Sequence, residues 1–115
     1  MFNFINSQIW FYPQTIDFRK QMNSLMLLIC DLDMNPGSGA IYIFRSKTKD
    51  KLKILIWEKN GFWLLYRKLA KGQFRFPDKH DQSVQLTTDQ LSWLLSGLDL
   101  RRLSGHPTLQ LDIFQ

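Results

Sequence analysis

Cysteine, histidine and acid are all scarce in this chain. One cysteine (Cys30), two histidines and ten carboxylates stand among 115 residues. A lone cysteine closes no internal disulfide. Inside the apolar run LMLLIC, Cys30 reads as a small core side chain of a reducing compartment. His80 and His106 lie in polar, loop-like stretches with no second histidine, cysteine or carboxylate at ligand spacing, so no metal site is expected. Nine of the ten acids are aspartates, and Asp17, Asp31, Asp33, Asp78 and Asp89 fall at expected caps or turns. Bonding to nearby backbone explains them better than paired acid–base work does. There is no nucleophile motif, Walker loop or GxGxxG, and the one glycine cluster, GSGA, reads as a connector. Neither an enzyme nor a cofactor nor a small-molecule substrate is expected. No apolar stretch approaches the ~18 residues of a membrane span. The N-terminal MFNFINSQIWFYP has neither a basic n-region nor a small-residue cleavage site, so the chain reads as cytoplasmic with no membrane partner.

What is present is aromatic and basic. Nine Phe, four Trp and three Tyr supply enough apolar surface for one core, and the length leaves no room for a second. The whole chain, residues 1–115, is expected to form one domain, with a tail from Arg101 to Gln115. Fifteen Lys and Arg give a formal charge of +5, which favours a polyanionic partner without requiring one.

Periodicity predicts an α+β fold: a mostly antiparallel sheet of four or five strands with two helices. QIWFY, ending at Pro13, forms a first strand. Asp17 stands as N-cap to a helix over Phe18–Asp31, which ends in DMNPGSGA. AIYIF, LKILIW and FWLLYRKL are three strands, the last two joined at Asn60-Gly61. If those two residues form a type I′ turn, Lys53 stands opposite Lys68. GQFRFP and SVQLT add one or two short strands, with Pro77 closing the first. Thr87-Thr88-Asp89-Gln90 is a capping box for a second helix with Gly97 as C-cap. The last residues, TLQLDIF, alternate weakly.

The cations are unevenly placed. In RSKTKDKLK every odd position from Arg45 to Lys53 is basic, and the expected hairpin carries Arg67, Lys68 and Lys71 to the same end as Lys47, Lys49 and Lys51. Two readings fit: a solvated turn whose charges blunt a sheet edge, or a phosphate-binding end. Like charges opposite one another cost a few tenths to ~1 kcal/mol, a repulsion that a phosphate relieves. Arg19 and Lys20, in the expected first turn of the first helix, oppose its dipole and point the same way. Trp57, Phe62, Trp63 and Tyr66 interleave with these cations. Core packing accounts for them better than base stacking, because both hairpin faces are apolar.

The order Asp17-Phe18-Arg19-Lys20, NPGSG, IYIFR, KILIWE, Gly61-Phe62, RKLAKGQFRFP and LLSGLD resembles one family over roughly Trp10 to Leu100. This is the Orf2-like accessory protein, often called TnpB, of the type-66 bacterial insertion sequences. It is unrelated to the RNA-guided nuclease of the same name. The chain departs from the family pattern at Gln21, Glu58, Arg67-Lys68 and Phe76, keeping charge or aromatic character at the last three. The resemblance implies a non-catalytic transposition factor working beside a DDE-type transposase. Together with the charge placement it nominates Arg19, Lys20, Arg45, Lys47, Lys49, Lys51, Lys53, Arg67, Lys68 and Lys71 for low-specificity contact with DNA phosphates. The alternative is a module that docks on the transposase and never touches DNA, with the alternating tail adding a strand to its partner.

Overall fold

The computed structural model describes residues 8–75 and 84–96. The expected strand end at Pro77, the cap Gly97, His80, His106 and the tail lie outside them. Among these described residues seven elements follow one another: β1 (Ile9–Ile16), α1 (Met22–Asp31), β2 (Ile41–Ser46), β3 (Lys51–Glu58), β4 (Gly61–Lys68), β5 (Val84–Leu86) and α2 (Thr88–Leu95). The strands form one sheet in the order β4-β3-β2-β1-β5. Among the described strands only β1 and β2 run parallel; every other neighbouring pair is antiparallel. The architecture is α+β, as expected.

Each face of the sheet carries its own core. Ile9, Phe11, Ile41, Ile43, Leu52, Ile54 and Ile56 face one way and pack with Leu91, Trp93 and Leu94 of α2. Ile16, Tyr42, Phe44 and Leu55 face the other way, against Leu25 and Ile29 of α1. This is why β2 is buried along its whole length and reads as an unbroken apolar run rather than an alternating one. Cys30 turns away from that packing and is exposed, contrary to expectation. A helix rotates about 100° per residue, so the neighbour of buried Ile29 cannot share its direction.

β1 continues through Pro13 to Ile16 instead of ending there. Proline donates nothing to a ladder, and the pairing of β1 with β2 shifts by two residues between Phe11 and Thr15, where Pro13 sits. A slip of two keeps every side chain on its own face, so Ile16 still reaches the α1 side.

α1 starts at Met22, with Gln21 at the cap position and no side-chain cap bond. Asp17 is therefore not its N-cap. It closes a separate turn: its carboxylate accepts from the Arg19 backbone N–H at 3.0 Å, and Lys20 N–H donates to the Asp17 carbonyl at 3.0 Å. Aspartate bonding two residues ahead is a turn device that competes with helix, and here the turn wins. Arg19 and Lys20 precede the helix and do not load its first turn. The second helix obeys its signal: Thr87 accepts from Gln90 N–H at 3.1 Å and Gln90 Oε1 accepts from Thr87 N–H at 2.9 Å, a complete capping box.

The β3–β4 hairpin turns on Lys59 and Asn60, not on Asn60 and Gly61. Lys59 (φ 47°) and Asn60 (φ 71°) hold the two left-handed positions, and Gly61 pairs with Glu58. A lysine in that conformation costs roughly 1–2 kcal/mol. The gain is a better ladder. Trp57 meets Phe62 edge-on, with ring centroids 5.0 Å apart, and Leu55 stands opposite Leu64 and Ile54 opposite Leu65. The Asn-Gly register would have set Leu55 against Tyr66 and Ile54 against Arg67. Replacing Lys59 by Asn and Asn60 by Gly together should raise stability by about 1 kcal/mol, read from the urea midpoint at constant slope. An unchanged or lower midpoint would return the turn to Asn60-Gly61.

Candidate nucleic-acid interface

The parallel pair sets the site. Because β1 and β2 run together, with Ile16 beside Ser46, both finish at one end of the sheet. Antiparallel β3 starts at that end and β4 finishes there, with Lys51 directly opposite Lys68. Four strand termini thus gather Arg19, Lys20, Lys47, Lys49, Lys51, Lys68 and Lys71 into one end of the molecule, against the carboxylates of Asp17 and Asp50.

The loop between β2 and β3 is a built scaffold. Ser46 Oγ lies 3.2 Å from Thr48 Oγ1 and accepts from Lys51 N–H at 3.2 Å, while Lys49 N–H donates to Ser46 O at 3.0 Å. Lys49 takes a left-handed conformation (φ 63°). The strip after β4 then folds back on this loop: Leu69 N–H donates to Asp50 O at 2.8 Å, Phe74 N–H to Lys49 O, and Gln73 Nε2 to Thr48 O at 3.0 Å. Three successive carbonyls of the loop, those of Thr48, Lys49 and Asp50, are used, so Lys49 is held on fixed backbone with Lys47 and Lys51 flanking it. Composition gave no hint of this strap; its one local mark is Gly72, at φ 82°.

The two carboxylates are already engaged. Asp17 forms a bidentate pair with exposed Arg19, whose hydrogen bonds, with Lys47 as a lesser influence, hold its pKa below the ordinary aspartate range. Asp50 accepts from the Thr48 hydroxyl, which chiefly lowers its pKa, and Lys51 and Lys68 add to the effect. Lys51 Nζ lies 3.8 Å from Asp50 Oδ1, an ion pair in which one carboxylate offsets part of the charge of two facing lysines. The end remains strongly positive.

Three nominated cations stand apart from this group. Arg45 is inside the protein, 1 % exposed, with its guanidinium 5.4 Å from the Phe11 ring centroid and Nη1 donating to Phe74 O at 3.4 Å. Burial pulls its pKa down from the ordinary arginine value. A position that reads as one of five alternating cations is thus a core residue, because β2 is central and covered on both faces. Lys53 belongs to the α1 face opposite Tyr66, not Lys68. Its ammonium donates to Phe18 O at 2.9 Å and Lys20 O at 2.7 Å and lies 4.6 Å from the Phe18 ring centroid. Phe18 in turn meets Tyr66 edge-on at 5.5 Å. Lys53 thereby ties β3 to the turn that carries Arg19 and Lys20. Arg67 points to the α2 face, where Nε donates to Leu95 O at 3.0 Å, a cation at a helix C-terminus. Of the interleaved aromatics, Trp57 and Phe62 are half-buried while Trp63 and Tyr66 are exposed.

The result is a small α+β sheet with one polycationic end. A family model, IS66 Orf2-like protein, matches residues 7–105. The chain is 35 % identical over 95 residues to the uncharacterized protein y4jC of Sinorhizobium fredii (strain NBRC 101917 / NGR234), covering 82 % of this chain and 81 % of that one. It is 31 % identical over 103 residues to y4hO of the same strain, covering 89 % and 86 %. No solved structure matches. The chain belongs to the IS66 Orf2-like family and is a transposition accessory protein.

The two kinds of lysine should separate by their effect on stability. Lys51→Gln with Lys68→Gln should leave the protein as stable or add up to ~1 kcal/mol, by removing the facing charges. Lys53→Gln should cost about 1–3 kcal/mol, the usual worth of hydrogen bonds to a charged group. Urea denaturation of the three proteins reads both; equal losses would show that all three lysines pack alike.

Proposed function

We propose that this accessory protein contacts DNA phosphates through the basic end of its sheet while working beside the element's transposase. The observation that carries this reading is the pair Lys51 and Lys68, held opposite one another with Lys47 and Lys49 on the adjoining scaffold. Like charges face to face repel, and the single carboxylate of Asp50 offsets only part of this. A phosphate placed between them turns the repulsion into two attractions. Arg19 and Lys20 extend the surface across the β1 terminus, and Lys53 acts through them by holding their turn. Arg45 serves the core instead.

Among the described residues no helix presents side chains for groove reading beside this end, so affinity rests on phosphates, with weak sequence preference. Such binding falls linearly on a logarithmic salt scale, by about 0.9 per neutralised phosphate. Duplex DNA titrated over a salt series should show that slope, and Lys51→Gln with Lys68→Gln should reduce it by about two units while leaving the fold intact. An unchanged slope in the folded double variant would sink the assignment of these lysines. Absence of binding at low salt, with the transposase still co-purifying, would leave a pure protein-docking module.

A further inference from the structure

The other outstanding surface is the outer edge of β4. Among the described residues β4 ends the sheet, and it pairs with β3 over eight consecutive residues without a bulge. Natural edges are kept short, bulged, or broken by proline and inward charge. β5, at the opposite edge, is short, with three residues. β4 uses none of these devices from Gly61 to Tyr66, and it exposes Trp63 (49 %) on one face and Tyr66 (56 %) on the other.

The hairpin decides which groups the edge offers. Residues flanking a two-residue turn exchange both backbone bonds, so Glu58 and Gly61 do, and so does every second pair beyond them. Gly61, Trp63, Leu65 and Arg67 therefore direct their N–H and C=O to β3. Phe62, Leu64, Tyr66 and Lys68 point theirs outward, away from the sheet.

We propose that this edge pairs with the β4 of a second copy, antiparallel and centred on Leu65, joining two five-stranded sheets into one. The four outward residues have Leu65 as their midpoint, so this is the one self-pairing that uses all of them. Lys68 then stands opposite Phe62 of the second copy and Tyr66 opposite its Leu64, as hydrogen-bonded pairs on the α1 side. On the α2 side Trp63 stands opposite Arg67 of the second copy, a cation over an indole. The charges favour this arrangement. Both cations of β4 lie at its C-terminal end, so antiparallel pairing separates them, whereas parallel pairing would set Arg67 on Arg67 and Lys68 on Lys68. The contact is one strand wide, at the small end of interface sizes, so the dimer forms at micromolar rather than nanomolar concentration.

The test uses the full chain. Sedimentation equilibrium should show a concentration-dependent monomer–dimer exchange. Tyr66→Pro removes an outward N–H at an edge position that tolerates proline, and should abolish the dimer while circular dichroism and cooperative urea unfolding stay intact. The register is read separately, after exposed Cys30 is replaced by Ala. Leu65→Cys should cross-link to itself under mild oxidation, since the two central residues form a close non-hydrogen-bonded pair, while Leu64→Cys should not. A chain that stays monomeric to high micromolar concentration would overturn the proposal. So would a dimer that survives in folded Tyr66→Pro. Cross-linking of the Leu64→Cys protein, with the Leu65→Cys protein left uncross-linked, would overturn the register and the self-pairing built on it.

Discussion

Everything at the basic end follows from one constraint, the parallel pairing of β1 with β2. A parallel neighbour cannot be reached by a tight turn; the chain must travel back along the sheet, and α1 is that return. The cost is a long connection. The result is that two strands finish side by side, and the antiparallel meander then adds the start of β3 and the finish of β4. No stretch of sequence is basic enough to make this end alone. Distant lysines meet there because strand directions leave them no other place.

Two cations in the same stretch show how position overrides residue type. Arg45 and Lys53 differ from Lys51 by a few residues, yet one is packed on Phe11 and the other holds carbonyls of the turn before α1. Both bury their long stems and keep their charged heads bonded, as cations inside a fold must. A central strand covered on both faces has no outward side, so every residue of β2 is buried, arginine included. Lys53 escaped full burial only because β3 lies one strand nearer the edge.

Much of the fold was legible where the physics is local. The capping box at Thr87 needs four residues and nothing else, and it formed. The strands of the meander and their joining turn were visible in the apolar runs. What local reading missed was decided by partners elsewhere in the chain. Asn60-Gly61 is the better isolated turn, but packing of Trp57 on Phe62 and of leucine on leucine moved the turn by one residue. Asp17 looks like a helix cap until Arg19 engages its carboxylate. Cys30 sits in an apolar run but on the outer side of its helix. In the candidate interface the same division holds: Lys47, Lys49, Lys51, Lys68 and Lys71 were placed together by topology, whereas the fates of Arg45 and Lys53 depended on tertiary contacts invisible in the spacing.

The strand order also divides the sheet by the entropy of closing it. β3 finds β4 across two residues and β2 across four, so this half assembles from neighbours along the chain. β1 must wait for a helix to span its gap to β2, and β5 meets β1 only by joining segments from opposite ends of the fold, Val84 with Phe11. Loop closure grows costlier with every doubling of the intervening chain, and contacts between distant segments slow a search more than they weaken its end point. The meander that carries most of the lysines is thus the part of the molecule whose shape depends least on the rest.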